Sequence, residues 1–439
     1  MNSSFTRWIF IVPLNLLRAG CLVLFAAATI AKAETITVDF SSDQGPVTYR
    51  ASGFLHGMNG TKPGASLVDL IKPHMFRFGW SWSTAAYSRA KSLGADVQLV
   101  LSDLIGYSSV PDPMKWQNLC TTWATNAKNN GWVLQWDIWN EPNGAYFWRG
   151  TQEQFFETWR LCFLRIRAVD PNAVIVGPSI DGFDAGYLQS FLSYARANNV
   201  LPNILSWHEF GGAGPIEGNV QYMRSYMASN GFNISRISIN EVIHPGEYTN
   251  PGATARTIAS LERARVDSAA HACWGDTGGS NCNNNSLDGI LTFDNTQPRS
   301  AWWAYRGYAN ITGRIVRLSP GGTVDGVAGQ DSGLQTASVV LGKEGTSGDV
   351  LVNFTRISSA AYLNNAGQVR VVAKRIPDSG SSSLSGPTTV VDADYAVSND
   401  SVSVTLPDFG YSDAYIIKLS RGRVARQRLR PEGRENEKI

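Results

Sequence analysis

The sequence predicts an α/β fold, a (β/α)8 TIM barrel followed by a C-terminal all-β sandwich module. Three observations predict it. Between residues 52 and 313, eight short apolar runs alternate with amphipathic stretches. Beyond residue 313 the helical period gives way to β-branched, alternating runs separated by Gly, Ser, Asn and Pro. The 439 residues suit a barrel plus an accessory module better than one small domain.

The elements follow in order. Arg7 and Arg18 flank a first apolar patch, an apolar run from Cys21 to Ile30 follows, and Ala31-Lys32-Ala33 has the small-x-small pattern of a signal-peptidase site. Residues 1–33 therefore read as a signal peptide cleaved before Glu34, with an uncleaved anchor as the alternative. The run is short for a bilayer span, so no stable membrane insertion is expected after cleavage. Residues 34–50 hold a strand, Thr35 to Phe40, expected to join the β module. The barrel is expected over 51–313, with strands at 53–57, 75–79, 97–102, 134–140, 173–178, 204–208, 236–241 and 269–274. In the third helix Trp116, Leu119, Cys120, Trp123 and Ala127 share a face, and in the fourth Phe155, Trp159, Cys162, Phe163 and Ile166 do. The eighth unit is the least regular. Its loop carries Asp276 to Asp288, and its helix starts near Pro298 and includes Trp302 and Tyr305. The sandwich is expected over 314–420, with strands at 315–318, 337–341, 350–353, 369–374, 388–391, 402–406 and 414–419. Residues 421–439 form a charged tail expected to be disordered.

Composition narrows the function classes. Hydrophobic residues make up 43%, an ordinary value, while only 17% are charged and there are 14 tryptophans. Low charge with many aromatics fits a secreted protein that handles sugars, although more than half of the tryptophans should be core. The net charge is +2, with much of the excess in the tail, so nothing calls for nucleic acid. Four cysteines remain after the signal segment, Cys120, Cys162, Cys273 and Cys282. An even number in an exported chain points to two disulfides, with three connectivities open and free buried thiols as the alternative. Cys273 and Cys282 bracket a Gly/Asn-rich loop and form the obvious local pair, which leaves Cys120 with Cys162. No cysteine–histidine spacing resembles a zinc site, and no metal or other cofactor is expected.

Two glutamates stand at the C-terminal ends of strand candidates four and seven, the rim where barrel active sites are built. Glu141 follows Trp136-Asp137-Ile138-Trp139-Asn140, and Glu241 closes Arg236-Ile237-Ser238-Ile239-Asn240. Either alone could be a structural carboxylate paired with a barrel arginine. Together they match the needs of glycosidic cleavage, in which one carboxyl must hold a proton and the other must be ionised. A separation of about 5–5.5 Å would mean retention of anomeric configuration and a wider one inversion.

Trp139-Asn140-Glu141-Pro142-Asn143 followed by Tyr146-Phe147-Trp148 resembles the acid/base motif of glycoside hydrolase family 39, which holds β-xylosidases and α-L-iduronidases. The resemblance implies a retaining enzyme acting on an oligo- or polysaccharide, with Glu141 as acid/base and Glu241 as nucleophile. It implies that Asn140 bonds the sugar 2-hydroxyl, that Arg77 in Phe76-Arg77-Phe78-Gly79 holds the nucleophile ionised, that His208 lies near the nucleophile, and that Trp274 floors the sugar site. Arg77 is expected independently, because a lone arginine in an apolar strand needs a buried partner. His56 could reach a sugar hydroxyl, and Trp80, Trp82 and Trp148 could stack on sugars. Glu209 and Glu247 are further carboxylates near the rim, and Asp181 reads as a turn or helix-cap residue. The sequence departs from the family pattern at Asn240, where Thr is common, and in the loop from Asp276 to Asp288. Two other readings are an endo-acting β-glycanase of a related family and a catalytically silent carbohydrate-binding protein.

Overall fold

The computed structural model describes residues 33–106 and 109–423. Residues 1–32 of the expected signal peptide and 424–439 of the expected tail lie outside the described residues, whereas Arg421 ends a strand and Arg423 Nε donates to Asp394 Oδ2 at 3.1 Å, so the order extends past the expected boundary at 420. Eight parallel strands close into a barrel in chain order: Gly53–Leu55, Met75–Phe78, Asp96–Val100, Gln135–Asp137, Val174–Ile180, Ile204–Glu209, Arg236–Val242 and Ser268–His271. Phe54 against His271 makes the closing pair. Each strand overlaps a run read from the sequence, because strands covered on both faces must be apolar almost throughout. The barrel interior is the exception. Gln98 Nε2 donates to Gln135 Oε1 (3.1 Å) and to Ser238 Oγ (3.2 Å), and Ser238 meets Ser268 at 2.9 Å. This polar layer forms the floor beneath the rim.

The helices form where caps and periodicity agree. Helix Pro113–Asn130 starts with Asp112, whose carboxylate accepts from Met114 N and Lys115 N, and with Pro113 in its first turn. It ends at Gly131, whose φ of 67° supplies the left-handed cap. Helix Gln152–Val169 opens on a reciprocal capping box between Thr151 and Gln154. The two lie side by side. Trp116 Nε1 donates to Thr158 O (2.8 Å), and a Cys120–Cys162 disulfide joins them at a Cα–Cα distance of 5.5 Å. A second disulfide, Cys273–Cys282, closes the loop after strand eight. Buried Arg299 pins that loop through Asp276 (2.7 Å) and the Gly289 carbonyl (2.9 Å) before helix Ser300–Ala309 begins.

The β module is one nine-stranded sheet in the order Thr388–Ala396, Gln368–Ile376, Ala414–Arg421, Thr336–Lys343, Val324–Asp331, Arg314–Ser319, Glu34–Pro46, Gly348–Thr355 and Ser401–Phe409. The two edge strands are consecutive in the chain and touch through a turn at Asn399 and Asp400, both at positive φ. The sheet therefore rolls over a core of its own that buries Val38, Phe40, Val339, Val352, Phe354, Val371 and Val404, as a sandwich does. Strand Glu34–Pro46 pairs parallel with Gly348–Thr355 and antiparallel with Arg314–Ser319. Strand Val324–Asp331 has no counterpart among the runs read from the sequence. Its Gly326 and Gly329 lower β propensity, but space demands them. A Cβ on Gly326 would meet Leu341 Cδ2 at 2.6 Å, and one on Gly329 would meet Arg314 O at 2.9 Å.

The module docks on barrel helix Pro251–Ala264 through small residues. A Cβ on Gly252 would lie 2.7 Å from Asp413 O, 2.9 Å from Ser412 O and 3.0 Å from Lys343 O, and one on Gly342 would overlap Gly252 O. Helix and sheet thus meet backbone to backbone, and Gly252 N donates to Ser412 O at 2.9 Å. This helix directly follows the strand that carries Glu241.

Candidate active site

Glu141 stands four residues past the end of strand four. Trp139 anchors this stretch, fully buried and edge-on to Trp116 and Trp148. Glu141 itself adopts φ 48°, an uncommon left-handed conformation for a residue with a side chain, and its N–H donates to Ser179 O (2.9 Å). Glu241 is aimed by a different device. Ser238 and Asn240 both point into the barrel, so strict alternation would send Glu241 toward the helices. Register shifts on both sides of strand seven intervene, pairing His208 with Glu241. A bulge of this kind re-aims a side chain, and here it delivers Glu241 to the barrel mouth.

Arg77 organises the floor of the site. Its Nε donates to Asp137 Oδ2 (2.8 Å), Nη1 to Glu241 Oε1 (2.6 Å) and Nη2 to Asn140 Oδ1 (2.8 Å). Asp137 also accepts from Ser179 Oγ (2.8 Å) and Asn240 Nδ2 (2.9 Å). Asn240 is thus part of the scaffold beneath Glu241. His208 is fully buried between the two glutamates, its Nδ1 3.0 Å from Glu141 Oε1 and its Nε2 3.8 Å from Glu241 Oε1. One ligand-type atom from each of Glu141, His208 and Glu241 lies within 4.8 Å of the other two. Three such groups could hold a metal ion, but Arg77 already supplies a cation at Glu241.

The two carboxyls differ in environment. Burial, assisted by the Asp181 charge and opposed by Arg77, pushes Glu141 up to about 7. Burial also pushes Glu241 upward, and His208 and Arg77 pull it back. Burial tends to strip the proton from Arg77, but Asp137, Glu241 and Asp103 outweigh it and hold the guanidinium charged. With that guanidinium on one carboxyl only, a single proton shared by the pair sits on Glu141. His208 is held neutral, pushed down by burial to about 4.

A cavity of about 360 Å³ opens over these groups, lined by His56, Arg77, Trp80, Asp103, Asn140, Glu141, Phe147, Asp181, Phe210, Glu241 and Trp274, with the Cys273–Cys282 bridge at its edge. Of the residues singled out in the sequence, His56, Arg77, Trp80, Asn140, Glu141, Asp181, Glu241 and Trp274 meet here. His56 Nδ1 lies 2.8 Å from Ser81 Oγ and its ring packs on Trp80 at 4.5 Å. Trp274 stands edge-on to Phe210, and its buried indole N–H has no protein acceptor among the described residues.

Other expectations differ from the structure. His208 lies beside Glu241, as the resemblance implied, but it does not line the cavity and touches both carboxylates from within the protein. Trp148 is not a sugar platform, because it is buried edge-on against Trp139 and Phe155 and donates to Thr151 O. Trp82 packs among Tyr87, Trp123 and Trp132. Glu209 is buried under Trp207 Nε1 and Asn219 Nδ2, outside the cavity wall. Glu247 does not line the cavity either. The cap of helix Ala185–Ala197 is Asp184, and Asp181 lines the cavity instead. Asp137, Asp103 and Asp288 were missed. Asp137 carried a signal, a lone acid inside an apolar strand, as Arg77 did. Asp288 is buried and accepts from Leu55 N at 2.6 Å, which ties the eighth loop to strand one. Nothing in its Asn/Gly-rich surroundings marked it.

The parallel barrel with a carboxylate pair at its C-terminal rim has the architecture of the glycoside hydrolases. The model of the family described as Glycosyl hydrolases family 39 matches residues 113–248. The matched stretch carries both glutamates and includes the motif around Glu141. A 3-O-alpha-D-galactosyl-alpha-L-arabinofuranosidase of Bifidobacterium longum subsp. longum is 25% identical over 231 residues, covering 48% of this chain and 19% of its own length. The chain thus spans only about a fifth of that relative. A solved structure from Neocallimastix frontalis is 26% identical, with a TM-score of 0.79 over 89% of this chain and 100% of that one. A monomeric beta-xylosidase of Caulobacter crescentus CB15 shares the fold at 16% identity, with a TM-score of 0.66 over 89% of this chain and 100% of its own.

Proposed function

We propose that this chain is a secreted retaining glycosidase acting on a plant or microbial oligo- or polysaccharide, with Glu141 as acid/base and Glu241 as nucleophile. The observation that carries the reading is the asymmetry of the pair. Glu241 is bound by Arg77 at 2.6 Å, while Glu141 is raised to about 7 and faces neutral His208 at 3.0 Å. Their oxygens approach within 4.8 Å, which supports direct attack by a carboxylate over attack by an interposed water.

In the first step Glu241 attacks the anomeric carbon while Glu141 gives its proton to the departing oxygen, leaving a glycosyl ester on Glu241. In the second, Glu141 takes a proton from water as that water attacks the anomeric carbon and the Glu241 carboxylate leaves. Asn140, oriented by Arg77, offers its amide to the sugar 2-hydroxyl, and Trp274 offers its ring face. Export is supported by the two disulfides, which persist in oxidising compartments. No helix among the described residues is long and apolar enough to cross a membrane.

The relatives named for arabinofuranosides and xylosides make aryl pentosides the first substrates to test. Hydrolysis followed by proton NMR should release the sugar first as the anomer of the substrate. Glu241→Ala should be inactive, and azide should rescue it as a glycosyl azide of inverted configuration. Undiminished activity in that variant, or an inverted first product from the native protein, would sink the assignment.

A further inference from the structure

The two carboxyls of the site face opposite charges. The Arg77 guanidinium holds Glu241 from below. On the other side of the same cavity, Asp181 stands beside Glu141. We propose that Asp181 is a positioning residue that keeps the transferable proton on Glu141, acting most strongly when the sugar fills the cavity. This rests on the reading of Glu141 as acid/base.

Asp181 follows strand five, and its backbone is fixed to the acid's own loop. Asn143, two residues past Glu141, accepts from Asp181 N at 2.8 Å and donates to Asp181 O at 3.0 Å. Ser179 O, two residues before Asp181, accepts from Glu141 N. Three hydrogen bonds therefore tie together the loops bearing the two acids. Gly144 leaves the gap between them unfilled, since a Cβ there would sit 3.8 Å from Glu141 Cβ and 3.9 Å from Asp181 Oδ2.

The other charged or titratable groups around Glu141 are accounted for. His208 from strand six and His56 from strand one are pushed by burial to about 4 and about 3, and so are neutral. Arg77 from strand two is bound by Asp137, Asn140 and Glu241. Glu241 from strand seven has its charge met by Arg77. Asp103, after strand three, lies on the His56 side of the cavity, 3.9 Å from His56 Nε2. Asp181 is thus the carboxylate whose field Glu141 meets at the open side. The upward shift of Glu141 has burial as its largest cause and Asp181 as the next.

Asp181 is exposed in the open cavity, so water screens it. A bound sugar expels that water and strengthens every remaining charge interaction. The effect on Glu141 must therefore be larger in the enzyme–substrate complex than in the free enzyme.

The test is the pH dependence of kcat and kcat/KM for native protein, Asp181→Asn, Asp181→Glu and Glu141→Gln. Substrates with a poor, alkyl leaving group and with a good, dinitrophenyl leaving group are run in parallel. The basic limb of kcat/KM reports the acid in the free enzyme and that of kcat the acid in the complex. In Asp181→Asn both limbs should move to lower pH, the kcat limb further, so that kcat above the limb falls about tenfold for each unit of displacement. The loss should be confined to the poor leaving group, and Asp181→Glu should restore the limb. The carboxylate is not what holds the backbone, so the Asn variant should fold, and its melting curve checks this. Limbs that stay in place, or an equal drop at every pH, would overturn the proposal. A basic limb that survives in Glu141→Gln would overturn the acid/base reading itself.

Discussion

Replacing Arg77 with Met is the most informative perturbation of the scaffold. Met keeps the apolar stem of the side chain and removes its charge and its five donors. Arg77 is 1% exposed and meets Asp137 at 2.8 Å and Glu241 at 2.6 Å. At an effective dielectric near 20, each contact carries roughly 6 kcal/mol of gross Coulomb energy. Desolvation of the three groups cancels most of it. Stranding a buried partner nonetheless costs about 3–5 kcal/mol, because the charge left behind has no water to return to. Asp137 keeps Ser179 and Asn240 as donors, so the lower half of that range is expected from stability alone. For a chain of this size the melting temperature should fall by about 4–5 °C.

The sign of the pH effect is fixed by which groups lose their cation. In the variant, Asp137 and Glu241 rise further above their unfolded pKa values. A carboxyl raised in the folded state favours folding below its unfolded pKa, and that contribution is lost as pH rises through the folded value. The deficit of Arg77→Met should thus be largest near pH 8 and shrink toward pH 5. Melting curves of both proteins at the two pH values measure it. Equal deficits at both, or an unchanged melting temperature, would refute the view that Arg77 compensates buried carboxylates.

Three further outcomes are expected. For the native protein, kcat/KM on substrates with poor leaving groups should decline as pH rises through about 7, because Glu141 must carry its proton, and Glu141→Gln should abolish that limb. Replacing Cys120 and Cys162 by Ser opens a loop with a sequence separation of 42, which the chain-entropy relation values at about 4 kcal/mol, read as a lower urea midpoint with little change in KM. Gly342→Ala forces the sheet away from helix Pro251–Ala264 at Gly252 and should cost about 1–3 kcal/mol, with a loss of kcat as well if that helix steadies the strand bearing Glu241.

The barrel was legible because its strands need continuous apolar runs and its helices a 3.6-residue stripe. Glu141, Glu241 and Arg77 stood out as charges at the ends of, or inside, such runs. Strand Val324–Asp331 was hidden because its glycines are dictated by neighbouring backbones, and no local pattern carries that information. Trp148 illustrates the converse error. An aromatic beside the catalytic motif serves equally well as a wedge under the loop, and sequence position alone does not say which way it turns. Asp103 was missed, and Asp181 was read only as a turn or helix cap, for a third reason. They sit on loops after strands five and three and acquire their places only when barrel closure brings all eight strand ends together.

Strand Glu34–Pro46 lies between Arg314–Ser319 and Gly348–Thr355, so the sheet brackets the barrel from both sides in sequence. In order of synthesis, Ile36, Val38 and Phe40 emerge nearly three hundred residues before either of their pairing strands exists. Until then they form an unpaired apolar edge of the kind that invites wrong partners. The barrel can close while this strand waits, but the sheet cannot. Release of a finished molecule is therefore tied to the arrival of residues beyond 348, and a holding chaperone has a defined segment to cover in the meantime. The same bracketing means that the module cannot be exchanged by a single splice near residue 313. A transplant must carry both ends of the chain.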